Sequence, residues 1–524
     1  MKRQFTMLFF ISFLITVLAG CAQTLPAKIV SEEPVTLQWY VNFSWYNTKW
    51  GGNAVSREVT EKTGVNINLI SPDGSESETL DALIAGNKIP DLITLGWWEP
   101  QFSVIIDQGL VYPLNELAEE YDPYFLEVAD SDRLSWYTQP DGNVYCYPNS
   151  SYTVKDYENG RGAVSNQTFL VRKDIYEAIG SPDMTTPEGF ANAVRAAAAA
   201  YPDVDGQPLI PVGAHEFTPM GCDSFDKFLL NFLAVPYEKN EKFYDRYTDP
   251  EYKRWLSMFR ELGEEGLLSS DIFIDKRTQM DEKIKNGRYF CMIYQRTDLA
   301  EIERQVYDIS PDSVYIAVDG PRNSHDDPHT LPGTGINGWT VTLISKNCEY
   351  PDRAIKLMSY LMSEEGQKLI ALGVEGEHYT IENGRAVWTE ETQRLLGGDR
   401  LKYVEIVGAD NSYWMLQDNR IQDMWTPSGI PPLVQMQEWA RPYTFYSGQY
   451  DVNFTPGTEA YAAYQRLAAI HGEMLPKLLL APSEEEFEKL WDIYVQRRIE
   501  NGLELVLDES TKQMTDAKSR LGIS

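Results

Sequence analysis

Cysteine is scarce in this chain. There are five in 524 residues, and no two stand in a Cys-x-x-Cys pair. With Cys21 set aside, Cys146, Cys222, Cys291 and Cys348 are widely spaced. A chain this long can bury enough apolar surface to do without disulfide staples, so buried free thiols are expected ahead of two bridges. Positive charge is also short: 46 Lys and Arg face 78 Asp and Glu, a net charge of −32. With no basic patch to offset phosphate, such a surface repels DNA, RNA and anionic lipid, so nucleic-acid partners are excluded. Other signatures are missing too. No Walker phosphate loop occurs, so the chain supplies no ATP hydrolysis, and no Gly-x-Ser-x-Gly elbow marks a nucleophile. The apolar run at the start, Phe5 to Val17, is short for a membrane span.

That run sits between Lys2-Arg3 and Leu18-Ala19-Gly20-Cys21. A basic start, a short apolar stretch and small residues before a cleavage point make a secretory signal. The cysteine directly after them resembles a bacterial lipobox, in which Cys21 takes a diacylglyceryl thioether and becomes the mature N-terminus. Residues 1–20 are then a lipoprotein signal peptide and 21–34 a lipid-anchored tether. The protein is expected at the extracellular face of the bacterial cytoplasmic membrane.

What the chain has in quantity is aromatic: 13 Trp, 31 Tyr and 20 Phe. Several lie beside Gly, Asn and Pro, where core packing explains them poorly. Alternation and capping predict strands at 35–41, 65–70 and 91–95, with helices at 52–62 and 80–85 between them. Such an order implies a parallel, doubly wound α/β sheet, whose ligands bind beyond the carboxyl ends of strands. Phe43, Trp45, Tyr46 and Trp50 follow the first of these ends; Trp97, Trp98 and Glu99 follow the third. Further on, strands are expected at 167–171, 289–294, 314–318 and 339–344. Thr186-Pro187-Glu188 starts a helix, helices cover 351–362 and 364–372, and the chain from Thr389 is mostly helical.

Phrases along the chain give this order a family. They include Thr63-Gly64-Val65-Asn66-Ile67, Ala85-Gly86-Asn87-Lys88-Ile89-Pro90-Asp91, Asp141-Gly142-Asn143-Val144-Tyr145 before Pro148, Phe169-Leu170-Val171-Arg172-Lys173-Asp174, and Asn286-Gly287-Arg288. With Ile344-Ser345-Lys346-Asn347 and Gly373-Val374-Glu375-Gly376-Glu377, their joint order resembles the extracellular solute-binding lipoproteins of bacterial ABC importers, in the large sugar-binding type. The resemblance implies a two-lobed, periplasmic-binding-protein-like α/β fold with a hinge and a helical C-terminal extension. One lobe is expected to hold 35–145 plus 308–368, the other 146–307 plus 369–524. It implies a monomer that captures a carbohydrate, an oligosaccharide, without catalysis or cofactor, and hands it to permease subunits. The other classes weighed are a lipid-anchored polysaccharide-degrading enzyme and a sensory binding lipoprotein.

Other motifs read as structure. Some alginate-oligosaccharide binders of this subgroup carry an EF-hand-like loop, but Pro202-Asp203-Val204-Asp205-Gly206-Gln207-Pro208 lacks the twelfth-position Glu that calcium needs, as does the stretch from Asp73. His325-Asp326-Asp327-Pro328-His329 holds metal-ligand types without a stiff element to present them, so a solvated turn is expected and no metal is assigned. Gly333-Thr334-Gly335-Ile336-Asn337-Gly338 precedes a strand instead of opening a helix, which removes the phosphate-cradling geometry. Glu375 and Glu377 stand two positions apart in a loop, which does not establish the set separation that a glycosidase pair needs. A sugar offers apolar C–H faces and a rim of hydroxyls, so rings with Asn, Glu, His or Arg nearby are the expected site. The candidates are Trp45, Tyr46, Trp97 and Glu99 from the first lobe. Tyr147, Asn149, Tyr294, Arg296, Trp339, His378 and Trp414 come from the second lobe and the connecting segments. Trp97 and Trp98, being adjacent, should point opposite ways.

Overall fold

The computed structural model describes residues 33–427 and 429–523. The signal peptide, Cys21 and all but the last two residues of the expected tether lie outside them. Nine strands build the two principal sheets: β1 Val35–Val41, β2 Val65–Ile70, β3 Leu92–Gly96, β4 Tyr147–Pro148, β5 Gln167–Arg172, β6 Ile210–Gly213, β7 Tyr289–Gln295, β8 Tyr315–Ala317 and β9 Thr340–Ile344. The first sheet has the order β2-β1-β3-β9-β4 and the second β8-β5-β7-β6.

Local chemistry explains the first crossovers. The Asn53 side chain accepts from Ser56 N and starts the helix Ala54–Thr63. Gly64 ends it at φ 65°, a left-handed turn that suits glycine, and β2 follows at once. Ser75 caps Glu76–Ala85 in the same way before β3. In β3 both faces are buried, as a central parallel strand requires. β9 then enters antiparallel, with Thr340 opposite Gly96. That register sets Trp339 beside the carboxyl end of β3.

Each sheet has its own core. The first gathers Leu37, Trp39, Ile355, Met358, Leu369, Tyr403 and Met415; the second gathers Phe169, Phe190, Trp255, Met292, Leu475 and Tyr494. These packings move the expected lobe boundaries. Tyr315–Ala317 pairs with β5 in the second sheet, not with the first lobe as 308–368 implied. Tyr147–Pro148 pairs with β9 in the first sheet, past the expected limit at 145. Residues from Leu369 to Leu416 fill the first core, whereas 369–524 had been expected in the second lobe. The C-terminal helices, with Met436, Leu475 and Phe487, do join the second core. Periodicity tells which face of a helix is apolar; it does not tell which core that face meets.

The small motifs resolve similarly. Asp203–Val204 and Gln207–Pro208 pair across a two-residue turn, and Asp203 Oδ1 accepts from Gly206 N at 3.1 Å. The His325–His329 pair is split: His329 is buried and donates through Nδ1 to Phe232 O at 2.8 Å, while His325 is exposed. Burial lowers the His329 imidazole to about 4, so the ring is neutral near pH 7. Cys146, Cys222, Cys291 and Cys348 are buried free thiols. Among the described residues no helix is long and apolar enough to cross a membrane.

Candidate functional site

The chain passes between the lobes after β4, back again between β8 and β9, and a third time between Leu416 of the first core and Met436 of the second. These crossings touch the carboxyl ends of β1 and β3 in the first lobe. In the second they touch the end of the sheet formed by Gln167, Gln295 and Val318.

On the first edge β1 runs into Asn42-Phe43-Ser44-Trp45-Tyr46. A tight turn, closed by Tyr46 N donating to Phe43 O at 3.0 Å, throws the Trp45 ring outward. Trp45 is 57% exposed. Its inner face lies parallel to Trp339, with centroids 6.2 Å apart and planes 10° apart, and 5.8 Å from Trp414. Phe43 packs 5.6 Å from both of those rings. The Tyr46 hydroxyl is buried and donates to Ser412 O at 2.8 Å. Asn149 brackets the cluster: Nδ2 donates to Trp414 O at 2.9 Å and Oδ1 accepts from Thr340 N at 2.7 Å. Asn149 thus holds two ring-bearing segments in place and is itself wholly buried. Trp414 is 3% exposed, with its indole N–H buried and unpartnered.

At the end of β3, Trp97 donates from its indole to Gly338 O at 3.1 Å, tying it to the residue before Trp339. Trp98 turns edge-on to Trp97 at 88° and is exposed. Glu99 accepts from Gly96 N at 2.7 Å and from Asn42 Nδ2. Burial pushes its carboxyl up to about 7, against the pull of those two donors, and nearby Glu76 adds to the rise.

The second edge is polar. His215, just past β6, stacks on Tyr294 at 4.1 Å and 18°, with Ser224 Oγ 2.9 Å from its Nδ1. Its Nε2 is 3.8 Å from Asp298 Oδ2, which also pairs with Arg277 Nη1 at 3.0 Å. Tyr294 is wholly buried behind His215 and its hydroxyl has no partner. Arg296 begins the helix Arg296–Ile309 beside the crossing segments.

Of the residues expected at the site, Trp45, Tyr46, Trp339 and Trp414 come together, with Trp97 and Glu99 on the same edge. Asn149 brackets them, Tyr294 and Arg296 lie on the second edge, and Tyr147 and His378 join neither edge. Tyr147 is buried inside the first lobe, where its hydroxyl accepts from Asp130 N at 3.0 Å. His378 is buried in a turn against Gly373 and Val407, and its Nδ1 accepts from Val374 N at 3.0 Å. The sequence reading missed His215 and Asp298. The four-residue strand before His215 carried too little pattern to mark its carboxyl end. It also missed a cavity of about 330 Å³ between the first lobe and the last helix, Leu503–Leu521. Trp97, Trp136, Asn337, Asp451 and Arg520 line it. The Arg520 guanidinium lies 4.0 Å over the Trp136 ring, and the Trp136 indole donates to Asn337 Oδ1 at 2.7 Å.

Two α/β lobes with an aromatic edge at their junction define a ligand-capturing protein. The chain belongs to the bacterial extracellular solute-binding proteins, whose family model matches residues 54–374. It is 19% identical over 337 residues to lipoprotein LipO of Bacillus subtilis, covering 62% of this chain and 63% of LipO, so the match spans less than two thirds of that relative. It is likewise 19% identical over 389 residues to the polygalacturonan/rhamnogalacturonan-binding protein YtcQ of Bacillus subtilis, covering 72% of this chain and 74% of YtcQ. Its fold matches the substrate-binding protein FusA of an S. pneumoniae ABC transporter, solved with kestose. There the TM-score is 0.72 at 15% identity, over 92% of this chain and 99% of FusA.

Proposed function

We propose that this chain captures an oligosaccharide between its two lobes and delivers it to the permease of an ABC importer, acting as a binding protein and not as an enzyme. The observation that carries this reading is the solvent-facing Trp45 ring, backed by Trp339 and Trp414 at the lobe junction. A flat ring of that kind covers the C–H face of a sugar, while groups such as Glu99 and His215 serve hydroxyls. The family and the saccharide ligands named for YtcQ and FusA support it. The ligand closes the lobes because it touches both, so its binding energy is differential between open and closed states.

The same reading puts the protein outside the cell, monomeric and held by lipid at Cys21. A thermal-shift screen of oligosaccharides tests the binding claim, since a ligand that binds only the native state raises the melting temperature. At least one oligosaccharide should do so, and turnover of that ligand by the purified protein would overturn the reading. Cys21→Ser tests the anchor. The variant should lose lipid labelling and leave the membrane fraction or retain its signal; unchanged labelling would refute the lipobox.

A further inference from the structure

The junction holds a guanidinium whose counter-charge is missing. Arg296 sits on the second lobe, its backbone N donating to Asn166 O at 2.9 Å and one terminal nitrogen to Val164 O at 3.2 Å. Its Nε is buried without a partner. Among the described residues no carboxylate comes within the 4.0 Å of an ion pair with it. Loss of solvation lowers its hold on its proton, and Asp423 is the acid that offsets this most.

Asp423 is the matching oddity on the first lobe's side. It lies on the helix Asn419–Trp425, which packs against Glu364–Leu372 of the first lobe. Its carboxylate has neither hydrogen bond nor ion pair among the described residues, although Arg296, Arg385 and Arg441 are near enough to act on it electrostatically. Arg385 spends Nη1 on the Asp423 and Thr426 carbonyls, and Arg441 pairs with Glu438. Asp423 is exposed by area, yet its carboxyl is raised by lost solvation. Two residues on, the Trp425 indole N–H is also buried and unpartnered.

We propose that Arg296 reads a carboxylate, and that the saccharide bound here is acidic, a uronate-bearing oligosaccharide spanning Arg296 and Asp423. This rests on the oligosaccharide reading above. A desolvated cation without a partner is costly, and a neutral hydroxyl cannot supply its missing charge. A sugar carboxylate can, through the paired N–H donors that a guanidinium presents in one plane. Asp423, on the helix that packs against the first lobe, then accepts from ring hydroxyls. Contact with both lobes ties the acid group to lobe closure.

Calorimetry with short oligogalacturonates and oligoalginates, each beside its carboxyl-reduced counterpart, tests this on the purified mature protein. An acidic member should bind, its reduced counterpart should bind at least about thirtyfold more weakly, and Arg296→Gln should erase the difference. The free variant should melt no lower than the parent, because the substitution removes an unpaired buried charge. The inference falls if neutral oligosaccharides bind as tightly as acidic ones, or if Arg296→Gln and Asp423→Asn both lower melting of the free protein as partners in a structural pair would. Should Arg296→Gln fail to fold, the acidic-against-reduced comparison on the parent still decides. If no oligosaccharide of either kind binds, the oligosaccharide reading itself fails.

Discussion

Trp45 and Trp414 touch the same rings and should respond in opposite ways to truncation. Trp45 is mostly in solvent, so Trp45→Ala removes little buried area from the free protein. Melting should shift little, while affinity for the captured ligand falls about tenfold to a hundredfold, as loss of one stacking ring of about 1–3 kcal/mol implies. Calorimetry and a melting curve on one sample check both halves; early unfolding would make Trp45 a core residue. Trp414 is buried beneath it, and Trp414→Ala should cost about 3–5 kcal/mol of stability, read from urea unfolding. Both tryptophans sit among polar and aromatic neighbours in the sequence. Nothing local separates them, because exposure depends on whether Asn149, far along the chain, pulls a segment under its neighbour.

Among elements, the turn from β3 into the helix Pro100–Asp107 carries a pH dependence. Glu99 is raised to about 7 in the folded state, from an ordinary carboxylate value when unfolded. Between about pH 4.5 and 7 the folded state therefore holds more of this proton than the unfolded one. By linkage, this group's contribution is greatest at acid pH and declines as pH rises through that window, at no more than about 1.4 kcal/mol per unit. Asp451, also near 7, and Glu303, near 8, act in the same direction. The test is thus a difference: Glu99→Gln should be less pH-sensitive than the parent from pH 4.5 to 7 in urea titrations. Equal slopes would place Glu99 in solvent. The strands and loops bearing the cysteines make a second prediction at this scale. All four described thiols are buried, and burial raises each well above the usual thiol range. Native protein should react with a thiol reagent far more slowly than unfolded protein, and a reductant should leave melting unchanged.

At the scale of the whole molecule, two cores joined by crossing segments make a hinge the natural mode of motion. Saturating ligand should reduce the radius of gyration in solution scattering while the far-ultraviolet dichroism stays constant; an unchanged radius would argue for a rigid site. Much of this architecture was legible in the sequence. β1, β2, the helix from Pro187 and the helices Pro351–Met362 and Glu364–Leu372 have bounds that caps, prolines and alternation declare locally. The doubly wound class followed from their order, and the rings after β1 and β3 followed from the rule that ligands meet strand carboxyl ends. Partnership was not legible. Whether Leu369–Leu416 packs on the first or second core depends on apolar faces that look alike from within the helix. Tyr147, Asn149 and His378 have side chains suited to a ligand, yet the fold uses them on Asp130, Trp414 and Val374. Arg296 is the converse: the sequence shows an arginine after a strand, and only the tertiary structure shows that its side chain donates to Val164 O and, among the described residues, pairs with no carboxylate. Sequence determines local backbone preference and apolar periodicity, because those arise between near neighbours. Burial and hydrogen-bond satisfaction are long-range sums, and only the tertiary structure decides them.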